Sequence, residues 1–126
     1  MPIHMEVKAS IVVATCTGIL RASDTQRGVK ALWETPDWSG QPTVWDFRRA
    51  EFDLSSSETR VVAQFVLREQ PSPPPTRVVF VTGREVDFGM GRMFEGYRDD
   101  PQTEFRVFRD YDKAIHWAQK HQPGTA

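Results

Sequence analysis

Apolar and polar residues alternate at the start of the chain, and the pattern then changes. Ile3, Met5 and Val7 are separated by polar neighbours, and this period of two predicts a strand with one solvated face. The run from Ile11 to Thr17 is almost continuously apolar or β-branched, which predicts a strand with both faces covered. Together these segments predict an N-terminal antiparallel hairpin.

Four helices are predicted where apolar residues recur at intervals of three and four. Each predicted helix has a polar residue near its start that can cap free backbone N–H groups. The predicted caps are Ser23 with Gln26, Ser55 with Glu58, Asp87, and Asp110. The third helix is predicted to run from Asp87 to Tyr97.

Three further strands separate these helices. They are predicted over Thr43 to Phe47, Arg77 to Thr82 and Phe105 to Phe108. Strands that alternate with helices favour parallel pairing through right-handed crossovers, whereas the opening hairpin adds an antiparallel edge. The sequence therefore predicts an α/β fold, with a mixed sheet of four to five strands covered by about four amphipathic helices.

Length and charge limit the number of domains and the kind of partner. The 126 residues (14.4 kDa) suit a single domain, with an ordered core at about 3–121 and a frayed tail at 122–126. The 16 basic and 17 acidic side chains give a net charge of -1. Nucleic acid is therefore not expected as a partner, because phosphate binding requires a basic face.

The chain carries one cysteine, Cys16, and no leader-like N-terminal segment. No apolar run approaches the ~20 residues that cross a bilayer, so we expect a cytoplasmic protein without a transmembrane segment. The sequence leaves peripheral membrane contact and a homodimer open.

Candidates for catalysis, metals and cofactors are sparse. Cys16 lies within an apolar run, where a buried, inert thiol is expected. The three histidines lack zinc-site spacing, so no metal is expected. Gly89 and Gly91 lie inside a predicted helix and form no complete dinucleotide loop, so no cofactor is expected. We expect no catalytic residue, and hence no enzyme.

Three features remain as candidate binding sites. Asp46 is predicted at the end of a strand, where α/β proteins place many sites. Ser55, Ser56 and Ser57 lie at a predicted helix start, where they are either caps or a phosphorylation switch. The third helix offers a glycine-containing, apolar surface to a ligand or partner. That surface consists of Phe88, Met90, Met93, Phe94 and Tyr97.

The chain resembles the SpoIIAA-like (STAS-related) family of small bacterial proteins from about Ile11 to Gln119. The resemblance rests on the strand and glycine Val12 to Gly18, the strand Val78 to Thr82, and four short motifs. The motifs are Val44-Trp45-Asp46-Phe47-Arg48, Asp87-Phe88-Gly89 with Arg92-Met93-Phe94, Val107-Phe108-Arg109-Asp110, and Ala114-Ile115-His116-Trp117.

The resemblance implies a SpoIIAA-like fold and a non-catalytic, regulatory role in binding another protein. In anti-sigma antagonists of this type, a serine in an Asp-Ser-Ser-Gly motif is phosphorylated. The matching stretch here, from Asp53 to Glu58, has Leu54 in the motif and lacks its glycine, so no serine is assigned. The fold is also similar to CRAL-TRIO lipid carriers, which implies an alternative role: carrying or sensing a small lipophilic ligand under the helix Asp87 to Tyr97.

Overall fold

A computed structural model describes residues 3–8, 11–35, 38, 40–71, 75–97 and 103–119. The strands are β1 (Ile3–Lys8), β2 (Ile11–Leu20), β3 (Thr43–Phe52), β4 (Arg77–Thr82) and β5 (Glu104–Phe108). The helices are α1 (Ala22–Trp33), α2 (Ser56–Glu69), α3 (Glu85–Tyr97) and α4 (Tyr111–Gln119). The predicted tail and His121 lie outside the described residues.

The five strands form one mixed sheet in the order β1-β2-β3-β4-β5. β1 and β2 are antiparallel, with Ile3 opposite Cys16 and Lys8 opposite Ile11, and the other pairs are parallel. The predicted α/β class, the mixed sheet and the N-terminal hairpin are confirmed.

Strand order determines which face of the sheet each helix covers. The parallel strands always advance in one direction, and crossovers of the usual right hand then place α1, α2 and α3 on the same face. The buried side chains divide accordingly into two clusters. One cluster contains Leu32, Val62 and Phe94 from these helices, and the other contains Ala114 and Ala118 of α4. The sheet therefore has a three-helix face and a one-helix face.

β2 and β3 extend beyond their predicted ends as a paired ribbon. Pairing continues from Thr17 opposite Arg49 to Leu20 opposite Phe52, past an irregularity between Thr15 and Thr17. Gly18 within this stretch has φ of 78°, a left-handed conformation that glycine adopts without strain. The prediction that Asp46 ends its strand is therefore wrong, because β3 continues for six residues beyond it.

Two of the four predicted caps are present. Ser55 and Glu58 exchange hydrogen bonds between side chain and backbone at the start of α2 (3.1 and 2.9 Å), and Asp110 accepts from the Lys113 N–H (3.0 Å). At the start of α1, Asp24 instead accepts from the Arg21 N–H (2.9 Å), so the predicted box at Ser23 is wrong.

The prediction that Asp87 caps α3 is also wrong. This residue lies inside the first turn, and its carboxylate points into the protein rather than at the helix end. It accepts hydrogen bonds from the Phe52 N–H (3.3 Å) and from the Arg84 guanidinium (2.8 and 3.0 Å). Asp87 therefore ties the start of α3 to the end of β3.

Candidate ligand cavity

An apolar cavity of about 80 Å³ lies on the three-helix face, between the sheet and the helices. α1 contributes Val29 and Leu32 to its lining, and α2 contributes Val62 and Val66. Trp38, in the loop that precedes β3, also lines the cavity. The cavity is therefore enclosed mainly by α1, α2 and the strands beneath them.

Large aromatic side chains form the sheet side of the cavity. Trp45 and Phe47 of β3 point to the three-helix face together with Phe80 of β4. Phe47 meets the Phe80 ring edge-on at 5.0 Å between centroids, and it meets Phe52 in the same way at 4.6 Å. Aromatic rings therefore supply most of the cavity surface on the side of β3 and β4.

Helix α3 contributes part of the lining and is fixed at two points. Asp87 holds its first turn, and at Gly91 a Cβ atom would lie 3.0 Å from the Val107 side chain. The missing side chain thus allows α3 to pack closely on β5. Met90 and Phe94 flank this contact and reach the cavity.

The other residues of the predicted α3 surface lie elsewhere. Phe88 is half-buried under the Arg109 guanidinium, 4.9 Å from its ring centroid, and Met93 is half-buried away from the cavity. Tyr97 packs against the three-helix core without lining the cavity. The structure thus brings together two of the five predicted residues, Met90 and Phe94.

Asp46 lies on the one-helix face, separated by the sheet from the cavity. Its carboxylate accepts from the Arg48 side chain at 2.9 and 2.8 Å and from the Arg48 backbone N–H at 3.1 Å. The hydrogen bond to Asp46 raises the pKa of Arg48, whose guanidinium lies 4.2 Å from the centroid of the Tyr111 ring. Asp46 is therefore paired within the protein and is not part of the same site as Met90 and Phe94.

The serine cluster borders the cavity through the chain that precedes it. Leu54 lines the cavity, and Ser55 caps α2 with its hydroxyl. Ser56 and Ser57 are exposed in the first turn of α2. One serine therefore has a structural task, and the other two hydroxyls face solvent.

Cys16 and the described histidines offer little chemistry. The Cys16 thiol is fully buried, and desolvation, aided by the negative charge of Asp46, raises its pKa strongly. His4 and His116 are exposed. Within residues 3–119, apart from the undescribed positions, no three His, Cys, Asp or Glu side chains are grouped to hold a metal ion. No helix described here is long and apolar enough to span a membrane.

The periodic patterns of the sequence did not indicate that α1, α2 and Trp38 line a cavity. One signal was present: a tryptophan in a loop between proline and glycine residues, where polar side chains are usual. In the structure Trp38 is only 3% exposed. A large apolar residue in such a loop indicates that the loop folds back over the core.

The structure is similar to the crystal structure of an uncharacterised protein of the DUF3478 family, which has a SpoIIAA-like fold, from Shewanella loihica PV-4. The TM-score is 0.58 at 18% sequence identity, and the alignment covers 92% of this chain and 91% of the other. No protein-family model matches the chain, and no curated protein matches it either. The similarity and the strand arrangement together show that this chain has a SpoIIAA-like fold.

Proposed function

We propose that this protein is a non-enzymatic binding module that carries or senses a small apolar ligand in the cavity of the three-helix face. The observation that carries the proposal is the cavity itself, whose lining is almost entirely aliphatic and aromatic. Transfer of an apolar molecule from water to such a lining is favourable by about 25 cal/mol for each Å² removed from water.

The lining hydroxyl groups are compatible with an apolar occupant. Thr25 donates to the Ala22 carbonyl (2.7 Å) and Thr59 donates to the Ser55 carbonyl (2.9 Å). Thr43 has a longer hydrogen bond to the Gln41 carbonyl (3.4 Å). Because these hydroxyl groups have hydrogen-bond partners in the protein, an apolar ligand does not leave them without one.

The volume limits the size of the ligand. At about 80 Å³ the cavity has roughly half the volume of the ~150 Å³ engineered cavity that accepts benzene. Met90, on the α3 side, is an adaptable side chain that can change rotamer and enlarge the space. The proposal is therefore for a small ring or short chain, rather than a long acyl chain.

Titration with cyclopentane, followed by methyl and amide NMR shifts, tests the proposal. Saturable shifts are expected at Leu32, Val62 and Met90. Val62→Ile adds a methylene to the lining and should weaken binding, whereas Val81→Ile makes the same addition on the one-helix face. The absence of saturable shifts in the unmodified protein, or equal weakening by both variants, would contradict the proposal.

A regulatory protein–protein interaction is the second candidate, and the exposed start of α2 favours it. Ser56 and Ser57 are exposed, and Val61, one turn beyond Ser57, is 54% exposed. Phosphate on either serine would add charge beside an apolar contact residue and next to the free N–H groups of the helix start. Intact-mass analysis of protein from its native cells should then find a phosphorylated form whose phosphate maps to Ser56 or Ser57. Phosphate on Ser55 alone, or none under any growth condition, would contradict this candidate.

A further inference from the structure

One buried polar group in the cavity lining has no partner. The Trp38 side chain is buried, yet its indole N–H finds no hydrogen-bond acceptor in the part of the chain that the structure describes. An indole N–H can only donate, and a buried donor without an acceptor costs about 1–3 kcal/mol. Trp38 lines the cavity with its side chain, but neighbouring atoms cover the indole nitrogen. An acceptor on a ligand can therefore satisfy this donor once those atoms or the Trp38 ring shift.

The other polar side chains of the described lining have partners within the protein. The lining hydroxyls of Thr25 and Thr59 already donate to backbone carbonyls, and Gln70 has an interaction of its own. Among the described lining residues, the Trp38 N–H is therefore the buried donor that lacks a partner and that an acceptor on a ligand would satisfy.

The lining contributed by the described residues also carries no charge. None of these lining residues is a lysine, arginine, histidine, aspartate or glutamate. A carboxylate or an ammonium group would lose its hydration there without gaining a counter-charge, which is very unfavourable. The chemistry of the lining therefore selects against charged ligands.

We infer that the ligand is a small neutral molecule with an apolar body and one hydrogen-bond acceptor, of the ketone, aldehyde, ester or ether class, and that Trp38 donates to this acceptor. The inference rests on the proposed function and narrows it. The inferred ligand class excludes plain hydrocarbons, which lack an acceptor, and fatty acids, which are ionised at neutral pH.

Three probes of one ring size test the inference: cyclopentanone, methylenecyclopentane and cyclopentanecarboxylate. The first two differ by the exchange of an oxygen for a methylene group. The measured quantity is the ratio of their Kd values in the unmodified protein, in Trp38→Phe and in Trp33→Phe. Trp33 also lines the cavity, so its replacement is the matched control.

The ketone's advantage over the hydrocarbon should fall roughly three- to tenfold in Trp38→Phe and stay unchanged in Trp33→Phe, because among the described lining residues Trp38 is the one with an unpartnered buried donor. The ratio cancels the different hydration of the two probes and any general loosening of the cavity. In the unmodified protein, the Trp38 indole proton should shift downfield with the ketone and not with the hydrocarbon. This readout does not depend on the folding of a variant.

Each other outcome has a distinct meaning. If the ratio is the same in all three proteins and the indole proton does not move, the inference is overturned, while hydrocarbon binding still supports the proposed function. If cyclopentanecarboxylate binds at neutral pH as tightly as the ketone, the requirement for a neutral ligand is overturned. If no probe binds, the inference and the proposed function fall together.

Discussion

The two faces of the sheet are packed with different kinds of side chain. On the one-helix face, Val13, Val44 and Val79 meet the small residues Ala114 and Ala118 of α4, and all five are at most 2% exposed. On the three-helix face, aromatic rings such as Trp45 and Phe80 meet three helices and leave the cavity. Small branched side chains under a single helix close the space, whereas rings under three helices leave part of it open.

At the edge of the one-helix face, two arginine side chains stack on the Trp117 ring. The Arg77 guanidinium lies 4.0 Å from the centroid of the Trp117 ring and donates to the Trp117 carbonyl (2.6 Å). Arg106 contacts the same ring at 5.0 Å. These contacts cover part of the Trp117 ring at the edge of this face. The one-helix face is thus closely packed, whereas the three-helix face contains the cavity in which we propose that a ligand binds.

The largest expected effect comes from adding volume to each face. Ala118→Leu inserts three carbon atoms where α4 meets the sheet, and overpacking should lower the free energy of unfolding by about 1–3 kcal/mol. Val62→Ile adds one methylene towards the cavity and should raise the free energy of unfolding by at most ~0.8 kcal/mol. Urea midpoints at constant m report both values. Equal destabilisation by the two variants would show that the faces are packed alike.

The second effect concerns Cys16, on the three-helix face but outside the cavity lining. Burial raises the pKa of its thiol in the folded state, whereas the unfolded thiol ionises near pH ~8.5. Its contribution to stability is therefore complete below pH ~8.5 and declines above it by about 1.4 kcal/mol per pH unit.

The difference in unfolding free energy between the unmodified protein and Cys16→Ala, measured from pH 7 to 10, isolates this decline from other titrating groups. A difference that does not change with pH would show that water reaches the thiol, and that the open part of this face extends beyond the cavity.

The third effect should be equal on the two faces. Ser55 caps α2 and Asp110 caps α4, both at exposed positions, so Ser55→Ala and Asp110→Ala should each cost about 1 kcal/mol. Ser56→Ala and Ser57→Ala, which remove hydroxyls outside the cap, are controls expected to change stability by a few tenths of a kcal/mol. Thermal unfolding measures all four. A cost at Ser57 that matches the cost at Ser55 would contradict the assigned cap.

The smallest expected effect is local. Amides from Met90 to Tyr97 in α3 should exchange with solvent hydrogen earlier than those from Val78 to Val81 in β4. Gly89 and Gly96 are exposed and weaken the helix by ~1 kcal/mol each, whereas all residues of β4 are buried. Hydrogen exchange followed by NMR resolves both segments. Equal protection would mean that the contact at Gly91 holds α3 as firmly as the sheet, and that the cavity does not open on this side.

Sequence patterns predicted the kinds and order of the elements because each element carries a strong local signal. The unbroken apolar run Val78 to Val81 marked a buried strand, and the Ser55–Glu58 pair marked a helix start that the structure has. The extension of β2 beyond Thr17 and of β3 beyond Phe47 was missed because Gly18 and Ile19 are exposed and carry no buried-strand pattern. Their pairing depends on Arg49 to Phe52, which are distant in the sequence.

The site was harder to predict than the fold. Met90 and Phe94, which line the cavity, were predicted together because they share a helix face. The other lining residues could not be predicted in this way, because they depend on how the helices cross the sheet. Asp46 was interpreted through the rule that α/β proteins place sites at the ends of strands, but β3 continues beyond it. The parallel strands also advance in one direction without the reversal of order that opens a crevice at such ends. The cavity lies under the helices for the same reason, since all three crossover helices share one face.

The unbroken strand order also governs how the molecule can assemble. Every strand pairs with its neighbour in the chain, so a growing polypeptide can add each strand to an edge that already exists. No strand has to be inserted between two paired ones. The cavity lining, however, extends from Ile3 to Phe94. A nascent chain can therefore build most of its sheet before the cavity exists, and the cavity is completed only when α3 docks.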